Sequence, residues 1–154
     1  MKRLFHRAVV VTALALFGVS AAAQTPPNVL VVGQIAEPKS LDPHAVTATN
    51  DFRILVNLYD GLVRYKDGTL EVEPALAESW TISDDGKTYT FKLRQGVRFH
   101  DGSAFNAEAV KTSFERRRDS ELILSYFLWN VTAIETPDDK TVVLKLGQPQ
   151  PSFL

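Results

Sequence analysis

Apolar and polar positions alternate most regularly in TYTFKL, where Tyr89, Phe91 and Leu93 fall on one side and Thr88, Thr90 and Lys92 on the other. That period of two is the mark of a half-buried strand. Thr81 to Ser83 precede it across Asp84-Asp85-Gly86, so the spacing predicts a hairpin. A second hairpin is predicted between VTAIE (131–135) and TVVLKL (141–146), turning through Pro137-Asp138-Asp139-Lys140. Leu62 to Lys66 reads as a further short strand, closed by the tight-turn pair Asp67-Gly68. NVLVVGQI (28–35) is almost continuously apolar, the pattern of a strand covered on both faces. Phe52, Leu55, Tyr59 and Leu62 recur at helical spacing, which predicts a helix from Asp51 to Leu62 with Asn50 or Asp51 as its N-cap. Pro74 is expected to open ALAESW as a short helical turn that brings Trp80 inward. Asn106 should cap AEAVKTSFERRR, with Val110 and Phe114 on the buried stripe. LILSYFLW (122–129) is too apolar for the surface and is predicted helical and covered.

Two segments change the picture at the termini. Lys2, Arg3 and Arg7 precede the short apolar run Ala8 to Phe17, and Ala21 and Ala23 have the spacing of a cleavage site. Residues 1–23 therefore read as a secretory signal peptide, with the mature chain beginning at Gln24. Cleavage removes three basic residues and no acidic one, taking the formal net charge from -1 to about -4. Such a balance excludes the basic surface that nucleic-acid binders use. At the other end GQPQPSFL is punctuated by proline, and Phe153 and Leu154 look like the start of a further element. The chain is read as the front of a longer protein.

Candidate chemistry is sparse. Cysteine is absent, which rules out a thiolate nucleophile, a disulfide and a Cys-bearing zinc site. Of the three histidines, His6 leaves with the signal peptide, and His44 and His100 lie far apart without ligand spacing, so no metal is expected. His100 and Asp101 are neighbours, whereas a triad needs the acid to hold the imidazole and the imidazole to reach a nucleophile. Asp101-Gly102 is better explained as a turn. Glu115 to Asp119 (ERRRD) reads as a solvated helix end. No catalytic residue and no cofactor are expected.

Taken in order, EPKSLDPH (37–44), LYDGLVRY (58–65) and the long run from Pro74 to Arg116 resemble the family 5 extracellular solute-binding proteins. These are the periplasmic peptide- and nickel-binding receptors of ABC importers. VTAIETPDDKTVVLKLGQPQPSFL is similar to the family's next hairpin. Ala104 stands where the family usually has proline, and Ala109 where it usually has aspartate; both lie in the scaffold.

The resemblance implies an α/β fold, the N-terminal part of a two-lobed type II periplasmic binding protein with a smaller β-rich subdomain inserted in the first lobe. Residues 24–59 would begin lobe I and 60–154 would form the subdomain, incomplete and without the second lobe. The implied function is delivery of peptides to the permease subunits of an ABC transporter, in the periplasm and without catalysis. Nickel chelates, haem, opines or oligosaccharides are alternative cargoes within the family. An exported enzyme with its catalytic residues beyond Leu154 is the alternative outside it. By similarity the ligand-binding residues are Thr47, Ala48 and Thr49, with Tyr126 or Trp129 reaching the pocket. Helix capping is the competing reading of the first group and core packing that of the second. With only part of a cleft, residues 24–154 alone should bind peptides poorly in calorimetry, and nanomolar affinity would contradict the two-lobe reading.

Overall fold

The computed structural model describes residues 25–154, so the segment 1–23 expected to be a signal peptide and Gln24 lie outside the described residues. Of the described residues, 25–33 fall in one unit and Gln34–Leu154 in a second. In the first, Pro26 O accepts Val29 N at 3.0 Å in a turn, and no strand follows. The predicted strand 28–35 is absent, because an extended segment needs neighbours for its N–H and C=O groups and none of the described residues pairs with it.

The second unit mixes helices and sheets. Helix α1 (Thr49–Leu55) is followed by a two-stranded sheet of β1 (Val63–Tyr65) and β2 (Val72–Pro74). Strands β3 (Ala77–Ile82), β4 (Thr88–Leu93), β5 (Val131–Asp138) and β6 (Thr141–Leu146) form an antiparallel sheet in the order β3-β4-β6-β5. Helix α2 (Ala107–Arg118) and a 3-10 turn (Ile123–Leu128) lie between β4 and β5 in the chain, and α2 packs on β5 and β6.

The alternation read from TYTFKL is what places the core. Tyr89, Phe91 and Leu93 are buried with Val142, Leu144 and Leu146 of the paired strand, and Ala107, Val110 and Leu128 close over them. Asn106 caps α2, its Oδ1 accepting Ala109 N at 2.9 Å. Asn130 is 4% exposed and ties the chain beyond β6, donating to Gln148 O at 2.8 Å and accepting Gln148 N at 3.1 Å. That return brings the Phe153 ring to 4.8 Å from Tyr89. Pro137 is tolerated because β5 is an edge strand.

Four expectations fail for tertiary reasons. ALAESW forms no helical turn: strand β3 begins at Ala77, because Trp80 and Thr81 pair with Phe91 and Thr90 and the ladder overrides local propensity. Helix α1 begins at Thr49 with Ala48 as its N-cap and no side-chain cap, and it ends at Leu55. Neither Asn50 nor Asp51 caps it: Asn50 Nδ2 donates to Glu37 O at 3.3 Å and Asp51 Oδ1 accepts Lys39 N at 3.0 Å. Leu62, expected in the helix, instead accepts Ala77 N at 2.8 Å beside β1. The 122–129 run is helical only as a 3-10 turn and is covered only in part: Leu124 and Leu128 are buried, whereas Tyr126, Phe127 and Trp129 are exposed.

Chemical denaturation should show Phe91→Ala losing about 3–5 kcal/mol, since Phe91 is 1% exposed at the sheet centre. Asn106→Ala should lose about 1 kcal/mol and Asn106→Asp much less, because aspartate still accepts from the first-turn N–H groups.

Candidate functional site

The segment before α1 is shaped by its own short polar side chains. Asp42 accepts His44 N at 2.9 Å through Oδ1, and Asp42 O accepts Ala45 N at 3.1 Å, so LDPH closes as a turn. Val46 follows with 2% exposure and anchors the exit of the loop. Thr47, Ala48 and Thr49 come next: the two threonines are exposed, Ala48 is half-buried, and the run leads directly into α1. Among the described residues neither threonine hydroxyl has a hydrogen-bond partner. Tyr59, just beyond α1, donates its hydroxyl to Leu41 O at 3.1 Å and holds the loop from its other side.

A tie from α2 completes the arrangement. Arg116 grips Asp42 with both terminal nitrogens, Nη1 donating to Oδ1 at 3.0 Å and Nη2 to Oδ2. The bonds to Arg116, with help from the His44 backbone N–H, hold the Asp42 carboxyl down at about 2. Ser113 Oγ stands 3.4 Å from His44 Nε2, while His44 Nδ1 is buried and among the described residues has no partner. Burial, followed by the charges of Arg116 and Arg117, pushes the His44 imidazole below its ordinary value of 6.5. Arg117 donates to Leu124 O at 3.3 Å, and its guanidinium lies 5.9 Å from the centre of the Phe127 ring. ERRRD is therefore not simply a solvated helix end: its second and third residues hold neighbouring segments. Nothing local signals this, since Asp42 and Arg116 are 74 residues apart in the chain.

Between the loop, α1 and α2 runs a groove of about 990 Å³. Asp42, His44, Arg116 and Arg117 stand along one part of it, and Phe52, Leu55, Phe105, Phe114 and Phe127 supply much of its apolar lining. None of the five residues expected to bind ligand lines this groove. Tyr126 and Trp129 lie on the 3-10 turn and its end, 59% and 64% exposed, so they are not core residues among those described. Tyr126 lies against Phe127 with ring centres 4.2 Å apart.

The His100-Asp101 pair is a corner. Asp101 Oδ1 accepts Ser103 N at 2.9 Å and Ser103 Oγ at 2.6 Å, Gly102 adopts φ 85°, and His100 is exposed. Among the described residues no three His, Asp or Glu side chains are grouped to hold a metal ion.

Comparison with known proteins places the chain in a family. Residues 71–154 match the family described as bacterial extracellular solute-binding proteins, family 5 Middle. The chain is 39% identical over 136 residues to the probable D,D-dipeptide-binding periplasmic protein DdpA of Escherichia coli, covering 86% of this chain and 26% of that protein. Its fold resembles the periplasmic binding protein DppA of Helicobacter pylori in complex with the peptide STSA, with TM-score 0.66 and 39% identity over 77% of this chain and 27% of that one. It also resembles AgaA of A. tumefaciens in complex with agropinic acid, with TM-score 0.70 and 39% identity over 76% of this chain and 24% of that one. The chain thus spans about a quarter of the length of these relatives.

The two titrating groups of the loop give a pH signature. Between pH 7 and 5 the unfolded chain takes up a proton at His44 that the folded chain resists, so stability should fall as pH falls. Asp42 contributes stability that is present above 3.8 and is lost as pH drops toward its folded value of about 2. Urea melts should show His44→Gln flattening the slope between pH 7 and 5; an unchanged slope would contradict the buried-imidazole reading.

Proposed function

The chain belongs to the family 5 bacterial extracellular solute-binding proteins, and from that premise we propose that the complete protein captures small peptides in the periplasm and delivers them to an ABC importer. The observation that carries the reading is the 39% identity, over most of this chain, to DdpA and to a DppA solved around a peptide. The finer architecture belongs to the same proposal. Residues 1–23 are the signal peptide, 24–59 begin lobe I of a two-lobed receptor, and 60–154 are its smaller β-rich subdomain. In that setting the run 28–35 would find partner strands, and the apolar groove would pack against the remainder of the protein.

A receptor of this kind lowers no reaction barrier. It needs a closed state with higher affinity for the solute than its open state, so that the solute itself drives closure. Thr47 and Thr49 would hydrogen-bond the ligand through hydroxyls and backbone, with Ala48 contributing backbone groups. Tyr126 and Trp129 would wall the pocket, a role that suits aromatic surface exposed to this degree. The equal identity to AgaA, solved with agropinic acid, favours an opine as the second reading.

Mass spectrometry of solute released from the purified full-length protein separates the two, with peptides expected and an opine overturning the peptide assignment. Thr47→Ala with Thr49→Ala should weaken affinity about tenfold, as the loss of two hydrogen bonds of ~0.5–1.5 kcal/mol each implies. Unchanged affinity for the co-purifying solute would remove this loop from the site.

A further inference from the structure

We propose that Arg116 is a positioning residue for the ligand loop: through its two-pronged grip on Asp42 it fixes where Thr47, Ala48 and Thr49 stand, although it makes no hydrogen bond to any of them. The inference rests on the peptide-receptor reading for what the loop binds, and on geometry alone for how the loop is held.

The loop has anchors of two kinds. Asp51, fully buried, accepts Lys39 N at 3.0 Å, and Tyr59 donates its hydroxyl to Leu41 O at 3.1 Å. Both anchors belong to α1 or the turns after it, so they let loop and helix move together as one body. Arg116 is different, because it sits on α2, which is packed on β5 and β6. Among the described residues, the polar contacts joining this loop to α2 are the Arg116 fork and the 3.4 Å approach of Ser113 to His44.

The fork is the directional one. A guanidinium meeting a carboxylate through two parallel bonds fixes the angle of approach as well as the distance, which a single ammonium does not. The same carboxylate also accepts His44 N at 2.9 Å, so the orientation imposed by Arg116 is passed into the turn that ends at buried Val46. Thr47 is the next residue. Asp42 stays ionised at every pH in ordinary use, its carboxyl being held down at about 2, so the grip does not loosen by titration there.

The test uses the full-length protein with Arg116→Ala, Asp42→Asn and the double variant. Asparagine keeps an oxygen for His44 N and removes the charge-paired fork. Amide hydrogen exchange is read without ligand, and affinity is read with dialanine and trialanine. In Arg116→Ala, amides 45–50 should exchange at least tenfold faster while those of β4 and β6 are unchanged, and affinity should fall about tenfold. Asp42→Asn should match it, and the double variant should lose no more than either single one, as two halves of one contact must. A lowered melting temperature with affinity within twofold of wild type would make the pair a strut and overturn the proposal. So would unchanged exchange at 45–50. Faster exchange at 45–50 in a protein whose wild type binds neither peptide supports the tie and counts against the peptide cargo instead.

Discussion

Strand β4 cannot be left half in water. Tyr89, Phe91 and Leu93 present three large apolar side chains on one face, and burying each contributes about 1.5–3 kcal/mol. Satisfying that face decides most of what surrounds it. It takes β6 as neighbour, because Val142, Leu144 and Leu146 carry the same alternation on the same side. It also requires a lid, which Ala107 and Val110 of α2 and Leu128 of the 3-10 turn provide. Once α2 is fixed by that demand, its polar edge is fixed as well, and Arg116 faces Asp42 as a consequence.

From there the link to binding is short. The loop that leads into Thr47 is tied to α1 by Asp51 and Tyr59 and to α2 by Arg116, so the sheet's core and the loop proposed to bind ligand are mechanically connected. The exposed surfaces carry the complementary message. Tyr126, Phe127 and Trp129 stand in solvent, and the groove between α1 and α2 is lined largely by phenylalanine and leucine. Phe127 belongs to both surfaces, and under the proposal ligand would cover Tyr126 and Trp129 while the rest of the receptor would cover the groove.

How much of this was legible in the residues depends on the range of the interaction. The two hairpins, the Asn106 cap and the Asp101-Gly102 corner follow from signals within a few positions, and they stand where the pattern puts them. ALAESW misleads because its alanines and glutamate favour helix while its fate is set by pairing with β4. Helix α1 stops early because Leu62 is recruited to the first hairpin, a choice invisible to helical periodicity. The Asp42–Arg116 tie spans 74 positions and is built from residues common on any surface, so composition and spacing carry no trace of it. Resemblance rather than chemistry directed attention to residues 47–49, since a threonine pair before a helix has no signature beyond capping.

The central claim is that this wall belongs to a receptor whose affinity resides in closure. Small-angle X-ray scattering of the full-length protein, with and without its co-purifying solute, tests it most directly. A smaller radius of gyration on binding, with the β4–β6 sheet unaltered by hydrogen exchange, is the predicted result. Saturable binding with no change in dimensions would contradict closure as the source of capture.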